Sequence, residues 1–392
     1  MNKKNNFDSL ISNFENYFSF KKTKRLHDPI FFGNETKYLK ECISSGFVSY
    51  VGNFVKIFEN KISKYTKSKY SIATSSGTAA LHLALNYYKI DKDCEVLLPS
   101  FTYVATANAI KYCNSNPNFV DIETENLGIC PDKLELYLKK IGTKKGKKLF
   151  NKYSKKHIKA LIVVHVFGFP AKINKIKKIC KKYNIYLIED AAEAVGSFYN
   201  KKHLGTFGDM GILSFNGNKT ITSGGGGIIL VKTKKIANHI KHLSTHAKVK
   251  IGNDFIHDEI GFNYRMTNLS AAVGCAQLEN INKIIKAKRK NYNDYTKIFK
   301  RYEEIKIIKE PSLSKSNYWL ITAIFKSKNL RNKFINSLNK KGFGLRYTWK
   351  PLHSLNIFKN CPSDNMSNSN KIYNNAVNLP SSPILNIKKQ ND

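Results

Sequence analysis

ALIVVHVFGFPAKINKIKKICKKYNIYLIEDAAEAVGS, residues 160–197, carries two different periodicities. ALIVVHVF (160–167) and IYLIE (185–189) are short unbroken apolar runs, the pattern of strands buried on both faces. Between them Ile173, Ile176, Ile179, Cys180 and Tyr183 recur at helical spacing, so the joining segment reads as a helix with one apolar stripe. The same alternation extends outward. YSIA (70–73) reads as a strand followed by the helix GTAALHLALNYY (77–88), and EVLLP (95–99), GILSF (211–215) and GIILV (227–231) read as further buried strands. Strands alternating with helices predict an α/β fold with a mostly parallel central sheet covered on both faces.

Towards the N-terminus, Phe7, Leu10, Ile11, Phe14, Tyr17 and Phe18 share one helical stripe, which makes residues 1–30 a helical extension. After about residue 250 the pattern changes to longer helices (LSAAVGCAQLENINKIIKAKRK) and then to irregular segments with Pro351, Pro380 and Pro383. Residues 31–250 are therefore expected to form a large domain and residues 251–392 a smaller one. The stretch 139–159, KKIGTKKGKKLFNKYSKKHIK, reads as a lysine-rich loop without chemistry. No internal repeat is present.

Composition narrows the class. A chain of 392 residues is long enough for two packed domains, and 42% hydrophobic with 12% aromatic residues excludes a disordered polyelectrolyte. The longest apolar stretch, Ala160 to Phe169, is half a membrane span and contains a histidine, so no membrane partner is expected. MNKKNNFDSL has no apolar signal core, and the seven cysteines form no CxxC, which fits a reducing cytoplasm and predicts no metal site. The formal net charge is +38, yet of 66 basic residues only six are arginine. A nucleic-acid binder draws on arginine for bidentate contacts. Lysine, asparagine and isoleucine are inflated together, so the charge reads as solvated surface lysine and no nucleic-acid partner is expected.

Four segments carry candidate chemistry, and each alone also has an ordinary structural reading. SSGTAA (75–80) opens a helix after a strand, where free N–H groups favour a phosphate; it is also an unremarkable N-cap. IEDAAEAVGS (188–197) places Asp190 just past a strand end, where α/β ligands sit; it too could cap a helix. SFNGNKTITSGGGG (214–227) puts Lys219 between a strand and a glycine run that permits close approach of a flat ligand, a poor setting for a solvated lysine. GFNYRMTNLSAAVGCAQLE (261–279) brings Asn263 and Arg265 into a loop before a helix that Thr267 or Asn268 could cap.

Taken in order, these segments resemble a pyridoxal-phosphate site: a Schiff-base lysine, an aspartate for the pyridinium and a phosphate-binding helix start. The set is similar to the DegT/DnrJ/EryC1/StrS family of nucleotide-sugar aminotransferases, and closer still to its branch making 4-amino sugars for legionaminic acid and related nonulosonic acids. FGNE (32–35), FVSYVGNFV (47–55), TYVATANAI (102–110), HDEIGFNYRMTNL (257–269) and KSNYWL (315–320) add to the likeness, which runs from about Phe31 to the LPSSP at 379–383. The resemblance implies the aspartate-aminotransferase fold (pyridoxal-phosphate fold type I), with a smaller C-terminal α/β domain. It implies that Lys219 binds the cofactor and shuttles protons, and that Asp190 keeps the pyridine nitrogen protonated. Tyr103 would stack on the ring, Gly77, Thr78 and Ser214 would bind the phosphate, and Asn263 would reach it from the other subunit of a homodimer with shared sites. Glu193 would lie near the cofactor. For the nucleotide sugar, Arg265, Trp349 and His353 are the candidates, Trp349 by stacking on a base and Arg265 by pairing with pyrophosphate.

The implied reaction moves an amine from L-glutamate to C4 of a UDP- or GDP-linked 4-keto-6-deoxy hexose. Alternatives within the family are a C3 aminotransferase, which shares every cofactor residue, and a sugar dehydratase, which has histidine where this chain has Lys219. A basic regulatory protein retaining only the fold is the alternative from another class. Gly225 stands where many members have glutamate, and the nearer branch often has glycine there.

Overall fold

The computed structural model describes residues 3–19 and 24–385. The large sheet is built from β1 (Tyr70–Thr74), β2 (Cys94–Pro99), β3 (Asn116–Val120), β4 (His157–Val164), β5 (Tyr186–Asp190), β6 (Met210–Ser214) and β7 (Gly227–Val231). Their spatial order is β1-β7-β6-β5-β4-β2-β3. From β6 through β5, β4 and β2 to β3 every pairing is parallel; β7 alone runs against both of its neighbours. This is the expected α/β architecture.

The crossover between β4 and β5 shows how the sequence builds it. In the helix Ile173–Tyr183 the residues Ile173, Ile176, Ile179, Cys180 and Tyr183 are buried, while Lys175, Lys177, Lys178, Lys181 and Lys182 are exposed. Burying each such side chain contributes about 1.5–3 kcal/mol, which anchors the helix on the sheet. Asn184, in the left-handed conformation at φ 55°, ends the helix and turns the chain into β5.

The stretch 139–159 departs from the loop reading. Gly142–Lys145 and Lys148–Asn151 form an antiparallel hairpin whose second strand joins β4 through Phe150 and His157. Lysine masks the pattern, but Leu149 is buried and Gly146 takes the turn at φ 58°.

A second sheet of four antiparallel strands, Ile305–Ile307, Ile321–Phe325, Ala376–Leu379 and Arg346–Tyr347 in that spatial order, forms beyond the helix Ile281–Phe299. The N-terminal helix Lys3–Phe18 packs here: Phe14 stacks on Tyr295 at 5.6 Å and meets Phe334 at 5.5 Å, and Phe18 meets Phe343 at 5.2 Å. The helix Asn268–Glu279, in contrast, lies against Glu35–Ser45 and Asn53–Thr66 on the large sheet's side. Residues 251–392 thus do not pack as one block. Among the described residues no helix is long and apolar enough to cross a membrane.

Candidate active site

The carboxyl ends of β4, β5 and β6 open into a cavity of about 990 Å³ closed on its far side by the small sheet. At one end lies the start of the helix Gly77–Tyr87. Ser76 caps it, its Oγ accepting the Ala79 N–H at 3.0 Å. The N–H groups of the first helical residues, Gly77 and Thr78, have no carbonyl partner inside the helix and face an anion naturally. Two glycines make the cradle possible. A Cβ on Gly77 would stand 3.0 Å from Ser214 Cβ, and one on Gly227 would stand 2.5 Å from the Ser76 carbonyl oxygen. The glycine run therefore lets β7 press against the helix start.

At the other end sits Asp190. Its Oδ2 accepts from the Thr106 hydroxyl at 2.8 Å and its Oδ1 from the Ala192 N–H at 3.2 Å. Burial pushes its pKa up, and these donors together with Lys219 oppose that push. A cationic ring nitrogen in the cavity would hold the carboxylate ionised. Lys219 Nζ lies 4.1 Å over the Trp319 ring and 3.5 Å from Glu193 Oε1. Glu193 Oε2 accepts the Phe167 N–H at 2.8 Å. Burial raises the Glu193 carboxyl to about 7, against the pull of Lys219 and the Phe167 N–H.

The sign of that shift is testable. A carboxyl raised in the folded state gives stability below its unfolded pKa and loses it as pH climbs through the folded value. Glu193→Gln is therefore expected to leave the cofactor-free protein more stable than wild type at pH 8, by about 3 kcal/mol, with the gap closing towards pH 4.5. Thermal unfolding across that range checks it, and a gap independent of pH would contradict it.

Of the residues named from sequence, Gly77, Thr78, Tyr103, Asp190, Glu193, Ser214, Lys219 and Trp349 all line this one cavity. Three do not. Asn263 is exposed, in the segment paired with Thr245 at the base of a hairpin. His353 Nδ1 lies 2.7 Å from the Ser100 hydroxyl, outside the cavity wall. Arg265 is buried in the large domain, donating to Glu59 Oε1 and to the Ala73 carbonyl, each at 3.0 Å. The reading of Arg265 as a pyrophosphate partner is corrected here: its charge is already neutralised by Glu59, and it has no reach to the cavity. Arg265→Ala is expected to destabilise the fold by about 3 kcal/mol, because Glu59 is left uncompensated. Loss of substrate affinity at unchanged stability would restore the earlier reading.

Residues 31–392 match the DegT/DnrJ/EryC1/StrS aminotransferase family. The chain belongs to that family. It is 36% identical to the GDP-perosamine synthase of Vibrio cholerae over 91% of this chain and 94% of that protein. It is 30% identical to the UDP-4-amino-4,6-dideoxy-N-acetyl-beta-L-altrosamine transaminase of Campylobacter jejuni over 90% of both. Among solved structures, the pyridoxal-phosphate form of the putative sugar aminotransferase Spr1654 from Streptococcus pneumoniae superimposes with a TM-score of 0.80 at 22% identity, covering 93% of this chain and 94% of that one. That likeness establishes the fold.

The aminotransferase cavity fits pyridoxal phosphate on its own geometry: an anion cradle at one end, a buried carboxylate at the other, and one amine between. When bound, that cofactor supplies an aldehyde to carry the amino group and a ring to accept electrons. Ser76, Gly77, Thr78 and Ser214 would hold its phosphate, Asp190 its ring nitrogen and Lys219 its aldehyde carbon, with Tyr103 on its face.

Several residues that shape this aminotransferase site were not singled out from sequence. Thr106, which orients Asp190, lies inside TYVATANAI, and Trp319, beneath Lys219, lies inside KSNYWL. Asn317 in the same motif donates to the Glu193 and Val195 carbonyls at 2.8 and 2.9 Å and to Thr220 Oγ1 at 3.0 Å, tying the Asp190 loop to the residue after Lys219. Arg25, Leu26, His27, Asp28, Arg346 and Tyr347 complete the wall facing the large sheet. Motif position was their signal; chemistry by residue type was not.

Proposed function

We propose that this aminotransferase moves the amino group of L-glutamate to C4 of a nucleotide-linked 4-keto-6-deoxy hexose, with or without an N-acetyl group, yielding a 4-amino sugar for a surface glycan of the nonulosonic-acid kind. The observation that carries this is that Lys219, Asp190 and the helix start at Gly77 and Thr78 line one cavity. Its volume of about 990 Å³ lies at the top of the range of about 300–1,000 Å³ for small-molecule pockets, with space for a sugar beyond the cofactor. The names of the two relatives, GDP-perosamine synthase and a UDP-4-amino sugar transaminase, support a nucleotide-linked amino sugar as product.

The chain's own groups divide the work. Lys219 takes and returns a proton at Nζ, with Glu193 beside it as a counter-charge and the Trp319 face holding the ammonium in place. Asp190 keeps a positive charge at the far nitrogen, and Thr106 fixes the direction of its carboxylate.

A homodimer with shared sites completes the reading. The hairpin Lys248–Ile251 and Asp254–His257 exposes Ile251, Phe255 and Ile256, with Ile260 next to it, and Asn263 lies at its base. Such a cluster is suited to a second copy. Mixing Lys219→Ala with Asn263→Ala protein should restore activity that neither has alone, since one of the two hybrid sites then has both residues intact; failure to complement would contradict sharing through Asn263.

The central experiment is colour and product. The purified protein should be yellow, bleach on addition of L-glutamate, and then aminate one member of a panel of UDP- and GDP-linked 4-keto sugars, with the new C–N bond at C4 by NMR. A colourless protein that takes up no pyridoxal phosphate overturns the reading, and amination at C3 overturns its regiochemistry.

A further inference from the structure

The small-sheet wall contains one side chain that the reaction as described does not use. His27 lines the cavity, and both of its ring nitrogens are buried without a hydrogen-bond partner among the described residues. Its backbone is anchored on both sides: Gly344 N–H donates to the Lys24 carbonyl at 2.8 Å, Ser381 N–H to the Leu26 carbonyl at 2.6 Å, and Asp28 N–H to Ser382 Oγ at 2.8 Å. The fully buried Lys288 ties this anchor to the active site, donating to the Ser381 carbonyl at 2.6 Å and to the Trp319 carbonyl at 3.1 Å. The backbone around His27 is thus tied to the segment that carries Trp319, whose face holds Lys219, and both rings line the same cavity. Burial, and then the charges of Lys288 and Lys219, drive the His27 pKa well below the ordinary histidine value.

A buried polar ring with no partner destabilises a fold, so it persists where something else satisfies it. We propose that His27 is a specificity residue for the sugar, its ring turning to meet a neutral hydroxyl or acetamido group beside the reacting carbon. A neutral imidazole offers one N–H donor and one acceptor nitrogen, the complement of a hydroxyl or an amide. It offers no positive charge to a carboxylate, so it favours a neutral sugar group over glutamate. The inference rests on the amino-transfer reading of the same cavity.

The test separates the two halves of the reaction in the holoenzyme. In His27→Leu, bleaching by L-glutamate proceeds within about 3-fold of wild type, while return of the amine to the UDP- or GDP-linked 4-keto sugar slows by about 10- to 100-fold, the cost of unpaired polar groups. His27→Gln, which restores a donor and an acceptor, recovers part of the loss. A binding measurement on cofactor-free protein uses UDP-N-acetylglucosamine and GDP-mannose against UDP and GDP: the preference for the sugar-bearing member shrinks at least about 10-fold in His27→Leu. The unliganded variant also melts about 2 °C or more above wild type, because an orphaned polar ring has gone. Equal slowing of both half-reactions, an unchanged preference for the sugar, or a lowered Tm overturns the proposal. A wild-type protein that never bleaches with glutamate overturns the amino-transfer reading instead.

Discussion

Lys219→Ala is expected to turn over at least about 10⁴-fold more slowly than wild type, the upper range for removing a positioned proton carrier, with the covalent anchor lost as well. The expectation follows from position. Lysines run through the whole chain, yet Lys219 is the lone lysine on the cavity wall among the described residues. Its ammonium is held by Glu193 at 3.5 Å and the Trp319 face at 4.1 Å, and no neighbouring amine can take its place. Lys288, the fully buried lysine among the described residues, is committed to two backbone carbonyls. Borohydride should fix the cofactor to a peptide containing Lys219 in wild type and to none in the variant. Retention of more than a few per cent of wild-type turnover would remove Lys219 from its role.

Asp190→Asn is expected to lower turnover by about 10³-fold and to release the cofactor on dialysis, since a preorganised charge at the far end of the ring is worth that much in a dry site. Stability should move the other way. In the cofactor-free chain burial raises the Asp190 pKa above its unfolded value, so the carboxyl contributes stability below the unfolded pKa and loses it as pH rises. At pH 8 the cofactor-free Asp190→Asn protein should therefore melt above cofactor-free wild type, while the cofactor-loaded wild type melts above both. Calorimetry with and without pyridoxal phosphate checks both signs. Asn melting below wild type without cofactor would mean that Asp190 serves the fold, through Thr106 and Ala192, more than the ring.

How far each part was legible follows from how local its cause is. The helix Ile173–Tyr183 and its flanking strands were readable because burial imposes a repeat of 3.6 or an unbroken apolar run on neighbouring residues. The hairpin within 139–159 was not, because lysines occupy the exposed faces of both strands and only Leu149 marks the buried one. Arg265 was misread for a different reason. A loop arginine near a ligand motif has the same local context whether it meets a phosphate or, as here, Glu59, which lies 206 residues away in the chain. Thr106 and Asn317 escaped notice because hydroxyl and amide side chains satisfy hydrogen bonds almost anywhere, and only their partners, Asp190 and the Glu193 loop, give them meaning.

By itself the amino-acid sequence determined the parallel α/β sheet, the helix start at Ser76–Thr78 that is proposed to take the phosphate, and the acid at 190 and amine at 219 that line one cavity, since each is set by short-range pattern or by motif. The tertiary structure alone decided that the N-terminal helix packs on the C-terminal sheet, that Arg265 holds the large domain together, and that His27 joins Trp319 and Trp349 on one wall. Those outcomes depend on which buried surfaces fit one another across hundreds of residues, and close packing, unlike periodicity, leaves no repeat in the chain to be read.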